Sequence, residues 1–208
     1  EARYHCPGIQ TAEPGVIATL LSLEACTGKD DRALSRLRQY KLLEQKARDR
    51  ETAAGTDADF LRSCAIQIEI RHDCREQAER ILELINRTNQ LNYTKHRLTA
   101  EQFAALCNDD GVHKAYVRVR DRYGDYGICG FYALRGRKLE HFLFSCRILN
   151  MGVEHWVYHR LGRPGIAVVG EVVTPLDAPR APDWISEAAQ AAAPAAKKPR
   201  AATVRIIL

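Results

Sequence analysis

The chain lacks any CxxC pair. Its seven cysteines, at positions 6, 26, 64, 74, 107, 129 and 146, are odd in number and far apart. That spacing argues against a disulfide framework and against a zinc site, and points to a reduced, cytoplasmic protein. No apolar run approaches the roughly 18 residues of a membrane span, and no signal peptide is legible. The RNP, helix-turn-helix and zinc-finger patterns are also missing, so the mild net charge of +5 does not imply nucleic-acid binding. Part of that charge sits in the tail, at Lys197, Lys198 and Arg200. No internal repeat is visible. Neither a membrane nor a nucleic acid is expected as a partner, and no metal is expected as a cofactor.

What is present is ordinary globular composition, 46% hydrophobic and 27% charged over 208 residues, enough for one domain with extensions. A Pro/Gly-bounded start leads to a short apolar helix over residues 16–26. Asp30 or Asp31 can cap a long charged helix running to about Ala54, with Leu34, Leu37 and Leu42 as a thin apolar stripe; Gly55-Thr56 ends it. Residues 57–178 read as the compact domain. Residues 66–70 alternate as a half-buried strand, and Ala78, Ile81, Leu82 and Ile85 stand at helical spacing. Thr99-Ala-Glu-Gln102 is a capping box with Leu98 and Phe103 at staple positions, which predicts a helix over 100–107.

Residues 115–119 and 127–134 then predict a hairpin around Tyr123-Gly124-Asp125, followed by a strand from Leu139 that reaches Arg147. A Gly152 loop leads to a helix beginning near Glu154, and residues 166–173 predict a last strand. From residue 179 the chain turns to Ala, Pro and Lys and reads as a flexible linker. The order of elements, strand, helix, helix, three antiparallel strands, helix, strand, predicts an α+β fold, a sheet with helices packed on it, preceded by a helical segment over 1–56. The chain starts at Glu1 without a Met and ends in Arg205-Ile-Ile-Leu208, so a piece of a longer protein is expected.

Several residues carry chemistry in this pattern. A strand running through a Gly-containing loop into a helix leaves unpaired N–H groups at the helix start, which favour an anion. Arg147 would add a charged fork on the strand side. Cys146 beside Arg147 is either a nucleophile or, by alternation with Phe142 and Phe144, a small buried hydrophobe. Arg118, Arg120 and Arg122 form a row that binds a phosphorylated or acidic partner or is simply solvated. Asp125, with Tyr123 and Tyr126, either positions a substrate hydroxyl and acts as a base or satisfies a turn. Asn86, Thr88, Asn89, Gln90 and Asn92 crowd a helix end, where amides line a polar pocket or terminate the helix. His155 and His159 are spaced i, i+4, but no third metal ligand is evident and HExxH is absent.

Three segments together resemble the FkbH-like proteins of the HAD superfamily, subfamily IIIC. They are Asn86-Arg-Thr-Asn-Gln-Leu-Asn-Tyr-Thr94, Arg118-Val-Arg-Asp-Arg-Tyr-Gly-Asp-Tyr-Gly127 and Ser145-Cys-Arg-Ile-Leu-Asn-Met-Gly-Val-Glu154, and the similarity covers roughly residues 15–177. Leu149-Asn150-Met151 stands where the third block usually has Leu-Gly-Arg, and the DxDx(T/V) phosphatase motif is missing. The resemblance implies a C-terminal GNAT-like acyltransferase domain, a central mostly antiparallel sheet with helices on both faces, that follows a HAD-type domain with residues 1–56 as the helical linker. It implies transfer of an acyl or glyceryl unit through a phosphopantetheine thioester on an acyl carrier protein or coenzyme A, in secondary metabolite biosynthesis. In that reading Arg147, Gly152, Val153 and Glu154 hold the phosphopantetheine. Cys146 and Asp125 are the reacting groups, and the Asn-rich block with Arg120, Arg122, Tyr123 and Tyr126 meets the substrate. The alternative it leaves open is a non-catalytic module that docks the carrier protein.

Overall fold

The computed structural model describes residues 14–22 and 34–188. The chain divides into two compact units, residues 1–41 and 42–208. In the first, Pro14–Ser22 is a 3-10 helix where an α-helix over 16–26 is expected. The rest of that span, the Asp30/Asp31 cap and the tail from 189 lie outside the described residues. Helix α1, Ser35–Thr52, continues into the second unit, where its Leu42 and Leu43 pack against the core.

Sequence reading missed the next helix. Thr56 does not merely end α1; it caps α2, Asp57–Ser63, in a capping box with Asp59. Phe60 and Leu61 are the buried face of α2. Strand β1, Ile66–Arg71, follows and buries Ile66 and Ile68 by alternation. A 3-10 turn at Cys74–Gln77 feeds α3, Ala78–Arg87, which buries Ile81, Leu84 and Ile85. Helix α4, Ala100–Asn108, starts at the Thr99–Gln102 box as its residues predict, with both reciprocal bonds present.

The hairpin is longer than its apolar runs suggest: β2 is Val112–Asp121 and β3 is Gly124–Arg135. Strand β4, Lys138–Phe144, completes an antiparallel meander in the order β1-β2-β3-β4. At Gly130 an added Cβ would lie 2.5 Å from the Phe144 ring, so that ring on β4 requires glycine on β3. Helix α5 is Val153–Arg160. Two short edge strands close the sheet. β5, Gly165–Ile166, runs parallel to β4, and β6, Ile185–Glu187, runs parallel to β1, giving the order β5-β4-β3-β2-β1-β6.

The protein is therefore an α+β fold, with one hydrophobic core on each face of the sheet. On one face α3 and α4 meet Val112, Tyr116, Ile128, Phe131 and Leu143. On the other, α2 and α5 meet Ile68, Val117, Tyr132, Phe142 and Phe144. No helix among the described residues is long and apolar enough to cross a membrane.

Two expectations fail, and their causes are physical. Residues 167–173 do not extend β5. The edge of β4 beyond residue 141 is already hydrogen-bonded to residues 91–93, through Tyr93 N–H to Phe142 O at 3.0 Å and Phe144 N–H to Leu91 O at 2.9 Å. The Val-rich run lies against that loop instead, with Val169 N–H on Tyr93 O and Val173 N–H on Gln90 O. The span from residue 179, read as a linker, supplies β6, and Ile185 is buried against the core.

Candidate functional site

Strand β4 stops at Phe144 because Ser145 gives its N–H to Cys129 O and then caps a 3-10 turn, Cys146–Ile148. The turn rotates Cys146 off the face it would share with Phe142 and Phe144, and its side chain is exposed. The other described cysteines, Cys64, Cys74, Cys107 and Cys129, are all buried. Burial raises all four of those thiols, Cys74 and Cys129 to about 12. The alternation argument for a buried, inert Cys146 is thus overturned by a single turn of backbone.

Cys146 opens into a cleft of about 420 Å³, a volume in the range of small-molecule sites. One wall is α3, with Arg80, Glu83 and Arg87; the other is the loop Thr88, Asn89 and Gln90. Glu83 bridges Arg80 at 2.7 Å and Arg87 at 2.9 Å. One carboxylate between two guanidinium groups leaves that wall net positive. Surface pairs at these helical spacings contribute little, so an incoming phosphate or carboxylate can compete for the same arginines.

The Asn-rich block divides into two roles. Thr88, Asn89 and Gln90 line the cleft. Asn86 and Asn92 build the loop: Asn86 donates to Leu98 O at 2.8 Å, and buried Asn92 accepts from Lys95 N–H at 2.8 Å. Arg97, which no sequence pattern singled out, holds the block in place. It donates to the carbonyls of Ile85 and Thr88 and to the Asn89 side chain. Those carbonyls are acceptors left over at the C-terminus of α3, where a cation is favoured.

The loop expected to cradle an anion is closed. Arg147 is turned back onto β3, donating to Ile128 O at 3.1 Å and to Ser145 Oγ at 3.2 Å. Gly152 takes φ 78°, and an added Cβ would meet Pro182 Cγ at 3.0 Å. Trp184 Nε1 donates to Met151 O at 2.9 Å beside it. Val153 and Glu154 are buried. Burial pushes the Glu154 carboxyl up, its own backbone N–H and the Thr174 side chain pull the other way, and its Oε2 has no partner. In this arrangement the first turn of α5 does not fit a phosphopantetheine arm. Asn150 adopts φ 62°, a conformation Asn tolerates better than most residues.

The hairpin residues are drawn into docking helices. Buried Tyr126 places its hydroxyl on Asp121 at 2.9 Å and receives Lys46 Nζ at 3.1 Å. Lys46 also meets Asp121 at 2.6 Å and Met151 Sδ at 3.4 Å. Asp121 Oδ1 takes the N–H groups of Tyr123 and Gly124. Tyr123 donates to Asp49, and Arg122, which lies in the turn rather than on the strand, reaches Tyr123 and Ser63 O. Arg120 pairs with Gln67, and Asp125 pairs with Arg118 and caps Gly127 N–H. None of these residues lines the Cys146 cleft. Lys46 and Asp121 are functional to the fold, and only their contact across 75 residues of sequence reveals them.

His159 Nε2 meets Ala178 O at 2.9 Å. Among the described residues no group of three or more His, Cys, Asp or Glu is placed to hold a metal ion. Comparison of the chain with family models, with curated proteins and with solved structures gave no match.

Proposed function

We propose that this chain is an acyl- or glyceryl-transferase domain acting on a phosphopantetheine thioester, borne by an acyl carrier protein or coenzyme A. The observation that carries the reading is the exposed Cys146 thiol opening into a cleft walled by Arg80, Arg87 and the Thr88–Gln90 amides. Support also comes from the element order, strand, two helices, three antiparallel strands, helix, then a short strand parallel to β4. That order follows the strand, helix, helix, three strands, helix, strand succession read from the sequence, and an α+β layer of this kind is compatible with the GNAT-like domain that the resemblance to FkbH-like proteins implies.

The chemistry is thioester exchange. The Cys146 thiol loses its proton and its sulfur attacks the acyl carbonyl. A new C–S bond forms to Cys146, the C–S bond to pantetheine breaks, and the proton ends on the departing thiol. The arginines fix a phosphate of the donor, which is positioning rather than bond-making. Incubation with an acyl-coenzyme A should add one acyl mass to the intact protein, removable by hydroxylamine and absent in Cys146→Ala. An acyl adduct that persists in Cys146→Ala refutes this assignment.

A second reading is a non-catalytic carrier-protein docking module attached to a HAD-type domain. The closed first turn of α5, covered by Pro182 and Trp184, favours it. Carrier-protein binding that survives both Cys146→Ala and Arg147→Ala, without acyl transfer, selects this reading.

A further inference from the structure

Residues 167–184 are 18 consecutive residues without helix or strand, crossing from the β5 edge of the sheet to the β6 edge over the α5 side. Irregular stretches of that length in a compact domain are uncommon and are usually functional. The Arg62–Asp183 ion pair, at 2.9 Å, and five further hydrogen bonds fasten this one to the body. Two come from the backbone of Val169 and Val173, and one from the Tyr93 hydroxyl to Thr174 O at 2.7 Å. His159 holds Ala178 O, and Trp184 holds Met151 O. Val168, Val169 and Val173 remain about half exposed, at 48%, 48% and 51%, while Val172, Leu176 and Trp184 pack part-buried against the core, so hydrophobic burial fastens only part of the segment. Beneath it Glu154 is 1% exposed, with Oε2 unpartnered. An unsatisfied buried carboxyl oxygen is costly, and every closed conformation carries that cost.

We propose that residues 167–184 form a strap that opens as one unit, exposing the Glu154 carboxyl and the first turn of α5 to solvent and to ligands that donate an amide or hydroxyl hydrogen. The proposal does not depend on the acyl-transfer reading. Tyr93 from the loop and Thr174 from the strap face Glu154. Elsewhere along the strap Asp177 faces His155, which also titrates.

The closed strap favours the protonated carboxyl, because burial raises it above its ordinary 4.5. The open form therefore binds fewer protons, and opening becomes easier as pH rises above that value. The open population should grow about tenfold per pH unit until the closed form itself ionises. Native-state hydrogen exchange, corrected for intrinsic rates, reads this directly. The Val169 and Val173 amides should exchange together, well ahead of the Tyr93 and Phe144 amides, with that pH slope. Glu154→Gln should flatten the slope and leave only the share of His155. A Gly152→Cys/Pro182→Cys pair serves if Glu154→Gln does not fold. An added Cβ at 152 lies 3.7 Å from Pro182 Cβ, within disulfide reach. Oxidation should abolish strap exchange and reduction restore it. Strap amides that exchange only together with the β2–β3 hairpin, a pH slope unchanged in Glu154→Gln, or exchange indifferent to the disulfide would each overturn the proposal.

Discussion

Lys46→Met tests the latch that joins α1 to the hairpin. The Lys46 side chain is 12% exposed and that of Asp121 is 0% exposed, with 2.6 Å between them. Asp121 collects four donors: Lys46, the Tyr126 hydroxyl and the N–H groups of Tyr123 and Gly124. Removing Lys46 leaves a buried carboxylate with three neutral donors and no counter-charge. Breaking a buried pair from one side typically costs about 3–5 kcal/mol. The three remaining donors hold the expected loss near the lower end, about 3 kcal/mol. For a chain of this size that is a fall in Tm of roughly 6–12 °C. Asp121→Leu alone should cost more, because it also strands the hairpin amides. The double variant Lys46→Met/Asp121→Leu should be more stable than the sum of the two predicts, by about 1–3 kcal/mol of coupling. Urea unfolding of all four proteins gives the cycle. Additive losses, or a Lys46→Met penalty below about 1 kcal/mol, would show that the pair is not a buried latch.

Further outcomes follow from other residues. Iodoacetamide on the folded protein should label Cys146 and spare Cys64, Cys74, Cys107 and Cys129; peptide mapping that finds Cys146 unmodified removes the nucleophile. His141 is buried, and burial lowers it from 6.5 to about 4, with neighbouring His96 acting in the same direction. Its contribution to stability is complete above pH 6.5 and is lost as pH falls towards 4, about 3 kcal/mol in total, so His141→Leu should flatten unfolding free energy over that window. Gly130→Ala should cost about 1–3 kcal/mol, since its methyl would press on Phe144 at 2.5 Å; calorimetry showing no loss would mean that β3 and β4 are more loosely packed than described.

Local signals in the sequence translated well. The Thr99–Gln102 box and the alternation of residues 66–70 depend on near neighbours, and both elements stand where those patterns place them. The Thr56–Asp59 box is equally local, but Gly55 directly before it reads as a helix terminator and hides the start of α2. Non-local choices were illegible. A Val-rich run does not reveal that residues 91–93 already occupy the strand edge it would pair with. Period-2 alternation placed Cys146 inside because nothing in it marks where Ser145 ends the strand. The hairpin tyrosines read as site residues, since their partners Lys46 and Asp49 lie more than 70 positions away.

The covering of β4 by residues 91–93 also bears on solubility. A strand edge with free N–H and C=O groups is a template on which other copies of a chain can add and aggregate. Here the long strands β2 and β3 are interior, the two outermost strands have two and three residues, and the apolar end of β4 is paired within the chain. Loosening the loop that Arg97 holds would uncover Phe142 to Phe144, so damage there should be felt as aggregation before it is felt as unfolding.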